Sequence, residues 1–261
     1  MSVEFLLRRE VAAEIVKAAG AEALRSFAER STLAVDTKNG PRDFVSQADR
    51  AIEAMVRRHL AARFPGEAVV GEEEGGEAGS RYWIVDPIDG TSNFLAGSPL
   101  WGVSLGYVVD GEPVVGAIAA PCLGELMAGA RGAGVVRNGV PFERDVAVSG
   151  LGLVSLGDSP GEDLDAAIAL QRHLREREWI VESFHCTSVS MLFAALGRFE
   201  GHIQPVTTMW DIAGGAAICR ELELRVEIIA REDGSYGIWA GTADLLRDAL
   251  GEGDATAEAT Q

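Results

Sequence analysis

Cysteine is scarce in this chain of 261 residues. Cys122, Cys186 and Cys219 are scattered, odd in number and without a CxxC pair, which excludes a disulfide framework and a zinc knuckle. They read as small core residues. Long apolar runs are missing as well, since no stretch approaches the ~18 residues of a membrane span. Near the N-terminus the apolar Phe5-Leu6-Leu7 is followed at once by Arg8, Arg9 and Glu10, which is not a signal-peptide pattern. A cytoplasmic protein with no membrane role is the expectation. Basic residues are few, 23 against 40 acidic ones, and a formal charge of -17 repels nucleic acid and anionic lipid. A phosphorylated ligand would have to be drawn in by bound cations, although most of this acidity reads as a solubilising surface.

What is present is apolar content of 47%, enough for one large domain or two half-sized lobes. Val3, Leu6, Leu7, Val11, Ile15, Ala18, Ala19 and Phe27 fall at helical spacing and predict a long amphipathic helix over 3–28. A second helix is predicted from the S-x-x-D pattern of Ser46 and Asp49, ending at Phe64-Pro65-Gly66. Short β-branched runs follow at 69–70, 82–85, 102–109 and 114–119, with Asp110-Gly111 and Asn138-Gly139 as hairpin turns. Residues 1–147 thus read as an α+β lobe. Beyond Ser149, strand-like 153–156, helical 164–177, strand-like 179–181 and helical 189–196 and 211–222 alternate as in an α/β lobe over 148–251. Residues 252–261 are small and polar without periodicity and read as a disordered tail.

Three acidic features end strand-like runs, where loops carry chemistry: Gly71-Glu72-Glu73-Glu74, Asp86-Pro87-Ile88-Asp89-Gly90-Thr91, and Trp210-Asp211. A strand through Trp83-Ile84-Val85 delivers Asp86, Pro87 turns the backbone, and Asp89 returns to the same side. Converging carboxylates raise one another's pKa unless cations lie between them, and hard oxygen ligands suit Mg²⁺. The same acids also fit helix caps and solvated loop charges. Gly90-Thr91-Ser92 could open a helix whose first N–H groups face an anion, though an ordinary N-cap is the commoner use of such a turn. An EF-hand is excluded, because Asp86-x-x-Asp89-Gly90 lacks its spacing and its distal Glu.

Together these residues resemble the inositol monophosphatase family, whose signatures are G-E-E, D-P-I/L-D-G-T-x-N-F and W-D-x-A-G. They stand here as Gly71-Glu72-Glu73, Asp86 through Phe94, and Trp210 through Gly214, in order and at matching spacing. Asp43-Phe44-Val45-Ser46-Gln47-Ala48-Asp49 and Asn138-Gly139 extend the similarity. The resemblance implies a five-layered αβαβα sandwich, a homodimer, and hydrolysis of a small phosphate monoester such as inositol monophosphate or a related polyol or sugar phosphate. It implies two to three Mg²⁺ per site, with Mn²⁺ substituting and Li⁺ inhibiting. By position, Glu72, Asp86 and the Ile88 carbonyl would hold one ion and Asp86, Asp89 and Asp211 a second, with a weaker third near Glu72. Glu72 and the Thr91 hydroxyl would orient the attacking water, Asp43 would accept from Thr91, and Gly90, Thr91 and Ser92 would face the phosphate.

Three departures from that pattern concern the substrate. Polyol-specific relatives carry a glutamate seven residues before the last metal-binding aspartate, where this chain has Gln204, an amide without full charge. The family's G-S-A-A-L entry to a helix is His185-Cys186-Thr187-Ser188-Val189, which reshapes the pocket wall and places His185 beside the ligand. An expected E-A-G-G turn reads Glu221-Leu222-Glu223-Leu224. Fructose 1,6-bisphosphate, histidinol phosphate and 3′-phosphoadenosine 5′-phosphate therefore stand as alternative substrates. A catalytically silent homologue that binds a phosphometabolite or a partner protein would require a lost ligand, and none is missing.

Overall fold

The computed structural model describes residues 2–37, 44–145, 150–159 and 161–250. Helix α1 (Ser2–Ala28) buries Phe5, Val11, Ala12, Ile15, Val16, Ala19 and Ala23. Its inward stripe is rotated from the predicted one, because Val3, Leu6 and Leu7 are exposed while Arg8 and Arg9 are buried. The reason is specific pairing. The Arg8 guanidinium lies over the rings of Phe64 and Tyr107 and donates to Glu67 at 2.5 Å, which also accepts from the Trp83 indole at 2.7 Å. Cation–π contact and a shared carboxylate compensate burial of the charge. Helix α2 (Gln47–Arg63) starts where the S-x-x-D pattern places it, the Asp49 carboxylate reaching back to the Ser46 N–H at 2.9 Å.

A seven-stranded sheet runs in sequence order through β3 (Ala68–Gly71), β4 (Arg81–Asp89), β5 (Gly102–Val109), β6 (Glu112–Ala120), β7 (Glu125–Ala130), β8 (Gly134–Arg137) and β9 (Val140–Phe142). β3 and β4 are parallel and the others antiparallel. Asp110-Gly111 and Asn138-Gly139 form the predicted turns, each with positive φ at both residues, as the twist of a two-residue hairpin requires. A short antiparallel pair, β1 (Val35–Thr37) and β2 (Phe44–Ser46), precedes α2.

The second sheet is five-stranded, ordered β11-β10-β12-β14-β13, from β10 (Leu153–Leu156), β11 (Ile180–Glu182), β12 (Gly201–Thr207), β13 (Arg225–Ala230) and β14 (Tyr236–Gly241). β10 is parallel to β11 and β12, but β14 runs antiparallel to β12 and β13, so the alternating α/β reading holds for half of it. Helices α1 and α2 cover the outer face of the large sheet. Helices α5 (Thr187–Ala195) and α6 (Met209–Glu221) lie between the sheets, and α4 (Leu164–Glu176) and α7 (Ala243–Leu250) pack outside the small one. The five αβαβα layers expected from the resemblance are present. The lobe boundary at 147/148 and the tail at 252–261 lie outside the described residues.

Close approach of α6 to the large sheet depends on glycine. A Cβ at Gly116 would overlap the Gly214 carbonyl, and one at Gly106 would press on Ala213. At the other end of α6 the family's glycine turn is replaced, and Glu223 takes a left-handed conformation with φ 62°, which costs an L-residue roughly 1–2 kcal/mol. The Leu224 N–H still closes on the Cys219 carbonyl at 3.0 Å, so the helix terminates without glycine. Gly116→Ala is expected to destabilise the protein by about 2 kcal/mol, the scale of overpacking against backbone that cannot yield. An unchanged urea midpoint would show that the α6 crossing tolerates a methyl group.

Candidate active site

The site begins with an irregularity in β4. Asp86 pairs with Ser104 and Asp89 with Gly102, so three steps along β4 oppose two along β5. A regular strand would send residues three apart to opposite faces; the extra residue brings Asp86 and Asp89 to the same side. Pro87, which has no N–H to give a ladder, sits inside the irregularity. The predicted strand end at Val85 is corrected here: the strand continues to Asp89, and a bulge does the work assigned to a turn. The Ile88 N–H donates to Asp86 Oδ1 at 3.1 Å.

Helix α6 supplies Asp211 in its first turn. Its Oδ2 accepts from the hydroxyls of Thr207 and Thr208, both at 2.8 Å, and from the Thr208 N–H at 3.2 Å, which fixes the carboxylate and leaves Oδ1 as its remaining acceptor. One oxygen each of Asp86, Asp89 and Asp211 lies within 4.8 Å of the others. Glu72 follows β3, its N–H donating to the Val85 carbonyl at 3.2 Å, and stands beside Asp86. Asp86 is 1% exposed, and burial, then Glu72, Asp89 and Asp211, push its carboxyl far above the usual range. Burial and Asp211 raise Asp89 to about 7, against hydrogen bonds from Ser188 and Cys186. Hard carboxylate oxygens that destabilise one another's ionised form fit a divalent cation.

Glu53 holds the Glu72 turn from beneath. Its buried carboxylate accepts the N–H groups of Glu73 at 2.8 Å and Glu74 at 3.1 Å and pairs with Arg57 at 2.8 Å. A side chain at Gly71 would collide with it. Nothing in the local sequence of α2 distinguished this glutamate from its solvated neighbours.

Gly90 is left-handed, with φ 86°, and precedes α3 (Thr91–Ala96). The Thr91 hydroxyl lies 3.0 Å from the Ile88 carbonyl and 3.2 Å from Asp49 Oδ1. Asp43, expected to accept from Thr91, lies outside the described residues. Among the described residues the acid that touches Thr91 is Asp49, and the S-x-x-D pattern had marked it as a cap alone. One of its oxygens caps α2 and the other faces Thr91.

Across the seam, Asp89 accepts from the backbone N–H groups of Thr187, at 3.3 Å, and Ser188 at the start of α5. Asn93 donates to the carbonyls of Leu100 and Phe184 at 2.8 and 2.7 Å, tying α3 to the loop before α5. Asp89, Asp158, His185, Thr187, Gln204 and Asp211 are among the residues around a cavity of about 170 Å³. Asp89 and Asp211 of the expected metal set therefore border the same cavity as His185 and Gln204. His185 occupies the family's glycine position with φ 50°, and its Nδ1 lies 2.9 Å from Asp158 Oδ1. Gln204 is 4% exposed and forms a wall of the cavity. Asp158 and His202 were not singled out from sequence, because their neighbourhood exists only once β10, β12 and α5 meet.

Residues 7–238 match the inositol monophosphatase family. An inositol-1-monophosphatase of Mesorhizobium japonicum is 34% identical over 216 residues, covering 78% of this chain and 78% of the relative. A histidinol-phosphatase of Mycobacterium tuberculosis is 34% identical over 213 residues, covering 78% and 82%. Among solved structures, the extragenic suppressor protein suhB of Bartonella henselae superposes with a TM-score of 0.81 at 25% identity, over 94% of this chain and 98% of that one. These likenesses define the class first, that of the phosphatases. Within it, the chain belongs to the inositol monophosphatase family.

The raised acids make a cation effect with a pH sign. A carboxyl whose folded pKa lies above its unfolded value stabilises the fold at low pH, and that contribution is lost as pH rises through the folded value, here about 7 for Asp89. Added Mg²⁺ is therefore expected to raise the melting temperature more at pH 8 than at pH 5. Thermal scans with chelator and with Mg²⁺ at both pH values measure this, and an equal or larger shift at pH 5 would contradict the carboxylate cluster as the binding site.

Proposed function

We propose that this phosphatase hydrolyses a small phosphate monoester with Mg²⁺, within a substrate set that includes inositol monophosphate, related polyol or sugar phosphates and histidinol phosphate. The convergence of Asp86, Asp89 and Asp211, one oxygen each within 4.8 Å, carries the reading. Glu72, Asp86 and the Ile88 carbonyl would hold one divalent ion and Asp86, Asp89 and Asp211 a second. When bound, such ions neutralise phosphate charge and make water more acidic. Magnesium suits the set because every donor is oxygen.

The remaining roles belong to the chain. Glu72 and the Thr91 hydroxyl orient a water, and Asp49 fixes the Thr91 rotamer. Water oxygen bonds to phosphorus, the ester P–O bond breaks, one proton of that water passes to the leaving alkoxide, which departs as the alcohol, and the other stays on the phosphate. Gly90, without a side chain, lets the backbone of Thr91 and Ser92 approach the phosphate. The wall formed by His185 and Gln204 receives the alcohol.

Asp86→Asn is expected to lower Mg²⁺-dependent phosphate release by more than about a hundredfold, beyond the loss typical of an outer-shell contact, while far-UV circular dichroism stays native. Near wild-type turnover at saturating substrate would overturn the metal assignment. Thr91→Ala is expected to lower kcat about tenfold or more, a usual scale for a misplaced reactant, with Mg²⁺ affinity by calorimetry little changed. An unaltered kcat would remove Thr91 from the reaction.

A further inference from the structure

Gln204 is saturated from within. Its Oε1 accepts from the Thr187 hydroxyl at 2.8 Å and lies 3.2 Å from His202 Nε2. Its Nε2 donates to Ser159 Oγ at 3.0 Å and lies 3.4 Å from the Asp158 carbonyl. An amide so engaged has little left for the hydroxyls of a polyol. His202, buried behind it, has its pKa pushed down to about 4 by desolvation and adds no charge. A side chain at Gly157 would overlap Gln204, so this wall has no slack.

The space does not end at that wall. Leu156, Gly157, Asp158 and His185 border the catalytic cavity and also a second one of about 370 Å³, so the two adjoin across the His185–Asp158 pair. Leu164 and Ile168 of α4 and Val181 of β11 give the outer cavity an apolar wall. Leu164 and Ile168 are 68% and 55% exposed, large apolar side chains of the kind that mark ligand or partner sites when clustered. Asp158, Glu162 and Glu182 line the same cavity, and among its described lining residues there is no lysine or arginine. Burial and Asp158 raise the Glu162 carboxyl above its usual range, as expected where negative charge is under-compensated.

We propose that the outer cavity holds the arm of the substrate's leaving alcohol, and that this arm is apolar and carries an ammonium group rather than a ring of hydroxyls. The inference rests on the phosphomonoesterase reading above. The shared border places the arm one His185–Asp158 pair away from the catalytic cavity, and the carboxylates of Glu162 and Glu182, with Asp158 engaged by His185, match an ammonium group. The products are inorganic phosphate and a free amino alcohol.

The test is kcat/KM of the full chain with Mg²⁺ on four esters: phenylalaninol phosphate, its amine-free analogue 3-phenylpropyl phosphate, inositol 1-phosphate and glycerol 2-phosphate. Phenylalaninol phosphate is expected to exceed both polyol esters by about tenfold or more, the scale of a well-placed apolar contact. Glu182→Gln is expected to lower the amine ester severalfold and leave the other three within twofold. Ile168→Ser is expected to lower both phenyl esters and neither polyol ester. A polyol ester that equals or exceeds phenylalaninol phosphate overturns the inference alone, as does an equal effect of both variants on all four. If Ile168→Ser changes the mass in solution and no ester's rate, the α4 face belongs to a second copy of the chain and the inference falls. No phosphate from any ester would overturn the proposed function with it.

Discussion

Three buried or half-buried carboxylates, Asp86, Asp89 and Asp211, are held with an oxygen each inside 4.8 Å, and their mutual repulsion is the constraint to which the surrounding structure answers. Left to themselves they would separate or take up protons. Each is clamped: Asp86 by the Ile88 N–H within its own strand, Asp89 by the first N–H groups of α5, and Asp211 by two threonine hydroxyls just ahead of α6. A cation seated among them would relieve that repulsion, which is the physical basis of the metal reading proposed above.

The layered architecture makes the clamping possible. Asp211 reaches the β4 bulge because α6 lies almost against the large sheet, and it lies there because Gly106 and Gly116 on the sheet and Gly214 on the helix carry no side chains. Asn93 and Asp89 then bind the loop and helix start at 184–188 from the large-sheet side. Through that seam the carboxylate cluster and the wall formed by His185 and Gln204 share one frame.

Much of this was legible in the chain. The helix period of α1, the Ser46-Asp49 cap, the Asp110-Gly111 and Asn138-Gly139 turns and the three acidic motifs are local patterns, and local patterns survive translation into structure. Two signals were misread for one reason. The inward face of α1 and the strand end at Val85 each depend on what a distant segment brings: Tyr107 and Phe64 for Arg8, and β5 for the bulge. Strands β12 to β14 were missed for the same cause. β12 mixes Pro205, His202 and Gln204 with its apolar residues, and β13 at the sheet edge shows a half-exposed alternation.

Asp49 and Glu53 mark the boundary most clearly. Both stand on α2 four residues apart, and sequence alone gives one a cap and the other nothing. The fold turns one toward Thr91 and the other under the Glu72 turn. Motif and spacing alone singled out Asp86, Asp89 and Asp211, the acids whose oxygens the fold brings together, because residue type and order along the chain are local records. Which acids support them, what Gln204 touches and which cavities adjoin became visible with the packing of distant segments, because no local pattern records the partner of a side chain until packing supplies it.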